Sequence, residues 1–424
     1  GITGTQGVLF FNNGTVTNTA TGSITGGVGI YFNGTTASSV LNDGIIRGIS
    51  SSGILAVNGT ADVINNGSVY GALNLNGVDL RKGGTVTNSA TGLIQAIDSL
   101  DAWGVLGYYA ATITNAGTIN GGAGIAIGLG TTSVTNSGTI NGLREGIFVI
   151  DGSTANITNT GTIYGASQGI KSLTGTVNLV NQGTVRAGNL SDAAFLKAGS
   201  VLNAGLMTAP VYSGLVTLSA LPVVNAASGI FEGGTDANFG AGIQFGNAAG
   251  GFLNNYGIIR DGAAGAIIAN GGAVTINLHA GSTTGRITTG DGDDQITLFT
   301  GTGTGFAGVV DGATGIVLQN AGVNAAATVG AINLGNGANS VNLRGVGTGT
   351  AAEGGIGTLS LADMVNVGTL NKSETGTWLL TGAPSATLTT INAGNGAPSG
   401  LLRFDGTSAL AAAITVNGAI IRAE

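Results

Sequence analysis

Apolar and polar positions along this chain alternate in short bursts, and the bursts recur. The commonest burst is an aliphatic residue, one further residue and Asn, with Gly and another aliphatic residue close behind. It reads VTNTATGSI from Val16, VLNDGII from Val40, VTNSGTI from Val134, ITNTGTI from Ile157 and LVNQGTV from Leu179. The asparagines of the phrase are Asn18, Asn42, Asn65, Asn88, Asn115, Asn136, Asn159, Asn181, Asn203, Asn225 and Asn254. Their spacings are 24, 23, 23, 27, 21, 23, 22, 22, 22 and 29 residues. Repeats of this length point to a solenoid.

Each repeat carries three apolar segments with period two, the signature of strands with one buried face. In the copy from Gly146 to Gly169 they hold Ile147 and Val149, then Ile157 with Asn159, then Ile163. Gly, Asn, Asp and Ser fill the gaps, where turns are expected. No 3.6-residue period persists. Leucine-rich repeats share the length but need a leucine spacing and a helix that are missing here, and WD and kelch repeats are about twice as long. The pattern predicts an all-β, right-handed, single-stranded parallel β-helix of three short strands per ~22-residue coil. Because Asn159 shares the inward parity of Ile157, the asparagines are expected to stack as an internal structural ladder. Their amides would donate and accept from coil to coil.

Composition sharpens this picture. The chain has 424 residues, 81 of them Gly, with 42% hydrophobic and only 8% charged residues. Gly at this level without a three-residue period is neither collagen nor a typical linker, and suits many tight turns. Cys is absent and His279 is the only His, so thiolate chemistry is excluded and histidine chemistry is confined to one residue. His279 beside apolar residues is expected to be structural or on the surface. With 13 basic against 20 acidic residues, net −7, there is no basic patch for nucleic acid. No run of about 18 apolar residues marks a membrane helix. The chain opens inside a repeat-like segment without a basic leader, as expected of an exported protein whose signal peptide has been removed.

After about residue 262 the Asn phrase fades. ITTGDGDDQITL from Ile287 and INLGNGANSVNL from Ile332, 45 residues apart, both read as strand, glycine turn, strand. The first nearly fits the calcium-binding nonapeptide of RTX β-helices. Asp291, Asp293 and Asp294 are its candidate calcium ligands. Calcium wants six to eight oxygens, and the second copy offers only Asn336 and Asn339 where aspartates would be needed. No other cofactor is indicated.

Val365 to Gly382 reads VNVGTLNKSETGTWLLTG. This closely resembles the passenger-associated repeat of type V autotransporter passengers, L-x-K-x-G-x-G-T-W-x-L-x-G, at Leu370, Lys372, Gly376, Thr377, Trp378, Leu380 and Gly382. Glu374 stands where the family often has Gly. The segment from Leu401 to Glu424 resembles the coils that lead into the family's autochaperone region. The specific motif covers about 20 residues, the repeat-level likeness most of the chain. The resemblance implies export across the outer membrane through the protein's own translocation barrel, which has no counterpart in this sequence. It also implies folding at the bacterial cell surface from a C-terminal core anchored by Trp378, Leu379, Leu380 and Phe404. Three regions are expected: 1–262, regular coils with the Asn ladder; 263–350, degenerate coils with the RTX-like Asp-Gly turn; and 351–424, the passenger-associated repeat and the first autochaperone-like coils.

Glycoside hydrolysis needs two facing carboxylates, but the acids are scattered, and no G-D-S-G-like nucleophile turn occurs. No catalytic residues are expected. Two long intervals predict insertions. One holds Asp98, Asp101, Trp103, Tyr108 and Tyr109, with Arg81 and Lys82 on the previous loop. The other holds Phe231, Glu232, Asp236 and Phe239. Trp103, Tyr108 and Tyr109 on a protruding loop would suit sugar stacking or protein contact. If Ile30, Phe32, Ile54, Ile147 and Val149 face in, Leu9, Tyr31, Leu55 and Phe148 face out. On the Asn-bearing strands Thr17, Thr87, Thr114, Thr135 and Thr158 face out, followed by Val180, Leu202, Val224 and Leu253. Such a face suits lateral self-association or a host or neighbouring-cell glycan or protein. The expected function is that of a surface or secreted adhesin or self-associating structural protein. The alternative is a carbohydrate-active β-helix enzyme, a polysaccharide lyase or hydrolase.

Overall fold

A computed structural model describes the chain except residues 98–99, 151, 247–249, 302–308, 320–325, 347–354, 375, 394–401, 406–414, 418–420 and 424. The described residues contain strands and no helix, stacked in parallel as the coils of a β-helix. They divide into two compact units, Gly1–Val201 with Gly205–Leu215 and Leu202–Ala204 with Val216–Glu424.

In the first unit a typical coil is built from Ser153–Asn159, Thr162–Gly165 and Gln168–Ser172. Each strand pairs with its counterpart one coil away in unshifted register. Val134 stands over Ile157 and Leu179, Ile140 over Ile163 and Val185, and Ile147 over Ile170. All eight are essentially inaccessible. Burying each such side chain stabilises the coil by about 1.5–3 kcal/mol. The period-two pattern therefore has a direct cause: only alternate residues enter the apolar column.

The Asn ladder runs inside the corner after the first of these strands. Asn18, Asn42, Asn65, Asn88, Asn115, Asn136, Asn159 and Asn181 are buried, and from Asn18 to Asn159 each amide donates to the next residue's Oδ1 at 2.7–2.8 Å. The same amide reaches carbonyls of its own turn and of the next coil. Asn136 Nδ2 lies 3.2 Å from the oxygens of both Gly138 and Thr162. Gly follows because nothing else fits: a Cβ on Gly161 would lie 2.1 Å from the Gly138 carbonyl oxygen.

In the second unit Asn203 donates to Asn225 at 3.0 Å and Asn225 to Asn255 at 2.8 Å. Asn255, not Asn254, is the ladder residue. Val223 pairs with Leu253 and Asn225 with Asn255, so Leu253 is buried and belongs to the core instead of facing out. The phrase FLNNYGII holds two asparagines, and the parity of Leu253 selects the second. Beyond it the corner is filled in register by Leu278, Leu298, Leu343 and Lys372. Three leucines and then a lysine replace the amides there, which is why the Asn phrase fades.

The 45-residue spacing is one coil step: Ile287 pairs with Ile332 and Gln295 with Ser340. The intervening segment includes a short antiparallel pair, Val309–Val310 with Val317–Gln319. Further on, Ile356–Ser360, Thr377–Thr381, Leu402–Phe404 and Ile421–Ala423 form a four-stranded parallel sheet. Trp378 is fully buried in it, between Gly357 and Leu402 in register.

Candidate functional site

The groove of interest lies in the first unit, on the outer side of the third strand of the coils. There the outward residues form one column in register: Tyr31, Leu55, Asp79, Leu106, Ala126, Phe148 and Lys171. Most of this column is not exposed. Leu55, Asp79, Leu106 and Ala126 are buried, and Tyr31 and Phe148 are half-buried. The expectation of a fully outward apolar stripe is corrected to that extent, because neighbouring turns and side chains wall the column in.

Around Asp79 the walls leave a cleft of about 480 Å³, lined by Asn74, Leu75, Asn76, Asp79, Arg81, Asp101, Trp103, Leu106, Tyr108 and Ile150. Trp103 is not on a protruding loop. It opens the strand Trp103–Gly107, which stacks on Val78–Leu80 on one side and on residues 123–127 on the other. The extra residues of the long Asn88–Asn115 interval thus still contain an ordinary coil strand, and the insertion lies elsewhere in it. Tyr108 and Tyr109 follow directly in the turn. They are 42% and 40% exposed and meet edge to face at 5.5 Å. Lys82 Nζ stands 5.0 Å from the Tyr109 ring centre. Asp98 lies outside the described residues. Of the second insertion, Phe231 proves to be core, paired with Ile259, whereas Phe239 is exposed.

Asp79 is the residue that the sequence reading missed. It is 3% exposed, at a position where adjacent coils place Leu55 and Leu106. Its Oδ2 accepts from Asn76 Nδ2 at 3.2 Å and from Nε and Nη2 of Arg81, both at 3.4 Å. Its Oδ1 is buried and has no hydrogen-bond partner among the described residues. Burial raises the carboxyl above its ordinary range, against the opposing charge of Arg81 and the hydrogen bond from Asn76. Asn76 Oδ1 in turn accepts the Trp103 backbone N–H at 3.0 Å, tying the carboxylate to the aromatic side of the cleft. The signal in the sequence was a lone Asp in an apolar column. At the rim, Asp101 is paired with Arg144 at 3.6 Å, and Arg144 and Lys171 both reach the buried Glu145.

A second, smaller groove of about 390 Å³ runs along the outer side of the neighbouring strands, past Gln95, Asn120, Asn141, Tyr164 and Arg186. The Arg186 guanidinium stacks over Tyr164 at 4.6 Å.

In the second unit, the three aspartates of the RTX-like turn do not converge. Asp291 accepts from Asn336 Nδ2, and Asp293 accepts the Ala338 N–H, each at 2.8 Å. Asp294 is buried, with Oδ1 on the Val274 N–H and Oδ2 on the Thr289 hydroxyl. The carboxylates join adjacent coils, and no group of three acidic or histidine ligands forms among the described residues. His279 lies between Tyr256 and Phe299, with ring centres 3.8 and 4.8 Å away and nearly parallel. Burial lowers its pKa to about 4.

The residues matching the passenger-associated repeat are largely interior. Leu370, Lys372, Thr377, Trp378 and Leu380 are all buried. Compared with protein-family models, curated proteins and solved structures, the chain has no match.

Proposed function

We propose that this chain is the passenger of a bacterial autotransporter, displayed on or released from the cell surface, and that it works as an adhesin or self-associating structural protein. The observation that carries this reading is the outer face of the Asn-bearing strands in the first unit. Thr85, Thr87, Thr112, Thr114, Ser133, Thr135, Asn156 and Thr158 project from it in register and exposed, preceded by Leu41 and Ile64. Similar contacts therefore repeat at about 4.8 Å from coil to coil. Such a wide, almost uncharged face suits repeated weak contacts with a second copy or with another surface better than it suits the capture of one small molecule. The likeness of Leu370–Gly382 to the passenger-associated repeat supports surface display.

The test is to display the chain on a non-adherent bacterium through a heterologous translocation barrel and measure settling and attachment. Light scattering of the purified chain is run over a concentration series in parallel. Clumping or attachment, lost when Thr114 and Thr135 become Lys, is the expected result. Monodisperse protein together with non-adherent cells overturns the reading.

One observation favours a second reading, a carbohydrate-active enzyme: Asp79 and Asp101 line the same cleft. Release of reducing ends or unsaturated products from polysaccharides, abolished by Asp79→Asn, would establish it.

A further inference from the structure

The cleft at Asp79 has chemistry that the fold does not need. A Leu in the Asp79 position would continue the column from Leu55 to Leu106. Instead the chain buries a carboxylate and leaves one oxygen without a donor among the described residues. An unsatisfied buried acceptor destabilises the folded chain, and more so when charged. A donor supplied by a ligand would remove that cost.

The nature of the donor follows from the neighbours. Arg81 lies against the other oxygen through Nε and Nη2, lines the cleft with a side chain 53% exposed, and keeps further N–H groups beyond those two. The Asp79–Arg81 pair has no net charge, and it offers an acceptor and a donor side by side. A cationic ligand would meet Arg81, and an anionic one would meet Asp79 and Asp101. A hydroxyl both donates and accepts, and suits the pair without opposing charge. Besides the polar Asn74, Asn76 and Asp101, the cleft is lined by apolar and aromatic residues, among them Leu75, Leu106, Trp103 and Tyr108. Apolar surface for C–H faces together with polar groups for hydroxyls matches the mixed surface of a pyranose ring. The size lies within the usual range for small-ligand sites.

We propose that this cleft is a subsite for a neutral saccharide, with ring hydroxyls at the Asp79–Arg81 pair and the apolar ring face on Trp103 and Tyr108. This deepens the adhesin reading, resting on it only in treating the chain as a binding protein.

The test uses the purified full chain. Calorimetry and tryptophan fluorescence follow titration with methyl glycosides of neutral hexoses and N-acetylhexosamines and with their short oligomers. Trp378 is buried, so a ligand-dependent change reports Trp103. At least one saccharide is expected to bind. Asp79→Leu should leave the melting temperature unchanged or raised and weaken binding about tenfold or more, the worth of one hydrogen bond to a charged group. Tyr108→Ala, at an exposed position, gives an independent loss. No binding by any saccharide at about 10 mM, binding unchanged in both variants, or binding only of Lys- or Arg-rich peptides overturns the proposal. Saccharide binding that persists in a chain conferring no cell attachment sinks the adhesin reading alone. Attachment without saccharide binding sinks the subsite alone.

Discussion

The side-chain amide of Asn136 donates to Oδ1 of Asn159 at 2.8 Å while also reaching the carbonyls of Gly138 and Thr162. One nitrogen thus links a side chain, its own turn and the next coil. Asn136→Asp would set a carboxylate against those three oxygens in a buried corner, and is expected to destabilise the first unit by about 3–5 kcal/mol. Asn136→Leu leaves the same acceptors unpaired but adds no charge, so about 1–3 kcal/mol is expected. Denaturant melts of the two variants check the order, and Leu costing more than Asp would refute the ladder's energetic role.

At the other end of the chain, Glu374 adopts a left-handed φ of 59°. The resembled family often has Gly at this place, and the backbone gives the reason: a Cβ is strained there. Glu374→Gly is expected to leave stability unchanged or raise it by about 1 kcal/mol, with the lost contact to Arg344 setting the lower end. Glu374→Val should lower it, since a β-branched residue tolerates this region least. Thermal melts of both variants suffice.

The fold was legible because its strongest rule is local. Every coil repeats the same inward parity, so Asn159 beside Ile157 predicts its burial with no knowledge of partners. The exception shows the limit. At Asn254 and Asn255 the phrase allowed two registers, and only pairing with Val223 and Asn225 decides between them. The candidate site was much less legible. Trp103, Tyr108 and Tyr109 stood out by residue type, but their placement depends on which residues of a long interval continue the coil. Asp79 gave no motif at all. It matters through burial and an unpartnered oxygen, and neither can be read before the coils are stacked. The aspartates of the GDGDDQITL turn stood out, yet Asp291 and Asp293 accept inter-coil hydrogen bonds from groups 45 residues away, and Asp294 accepts from Val274 and Thr289.

Trp378 and Gly357 form a matched pair. The indole packs over the Gly357 Cα, where an added Cβ would lie 2.6 Å from the ring. Trp378→Ala is expected to cost about 3–5 kcal/mol through the cavity it leaves. Gly357→Ala should cost about 1–3 kcal/mol by overpacking. In Gly357→Ala combined with Trp378→Leu, the smaller side chain makes room for the methyl group, so the double variant should be less destabilised than the sum of its parts. Additive costs in a double-mutant cycle would show that the two residues are not coupled.

His279 gives the second unit a pH dependence with a definite sign. Stacked between Tyr256 and Phe299, it has its pKa lowered by burial from 6.5 to about 4. Between those values the unfolded chain binds a proton that the folded chain refuses. Stability is therefore full above about pH 6.5 and falls as the pH drops toward 4, by about 3 kcal/mol. Asp192, in the first unit, acts in the opposite direction. Burial raises it to about 6, so its contribution is lost as the pH rises from about 4 through 6. An Asp192→Asn background isolates the histidine. In it, His279→Phe keeps an aromatic ring between Tyr256 and Phe299 but cannot be protonated, and should melt higher than its parent near pH 4.5 but not near pH 7.5. Because His279 is the only histidine, its ring resonances need no further assignment, and a direct NMR titration gives its pKa in the folded chain. A midpoint near 6.5 would mean that the stacked ring is solvated, and would remove the predicted acid sensitivity.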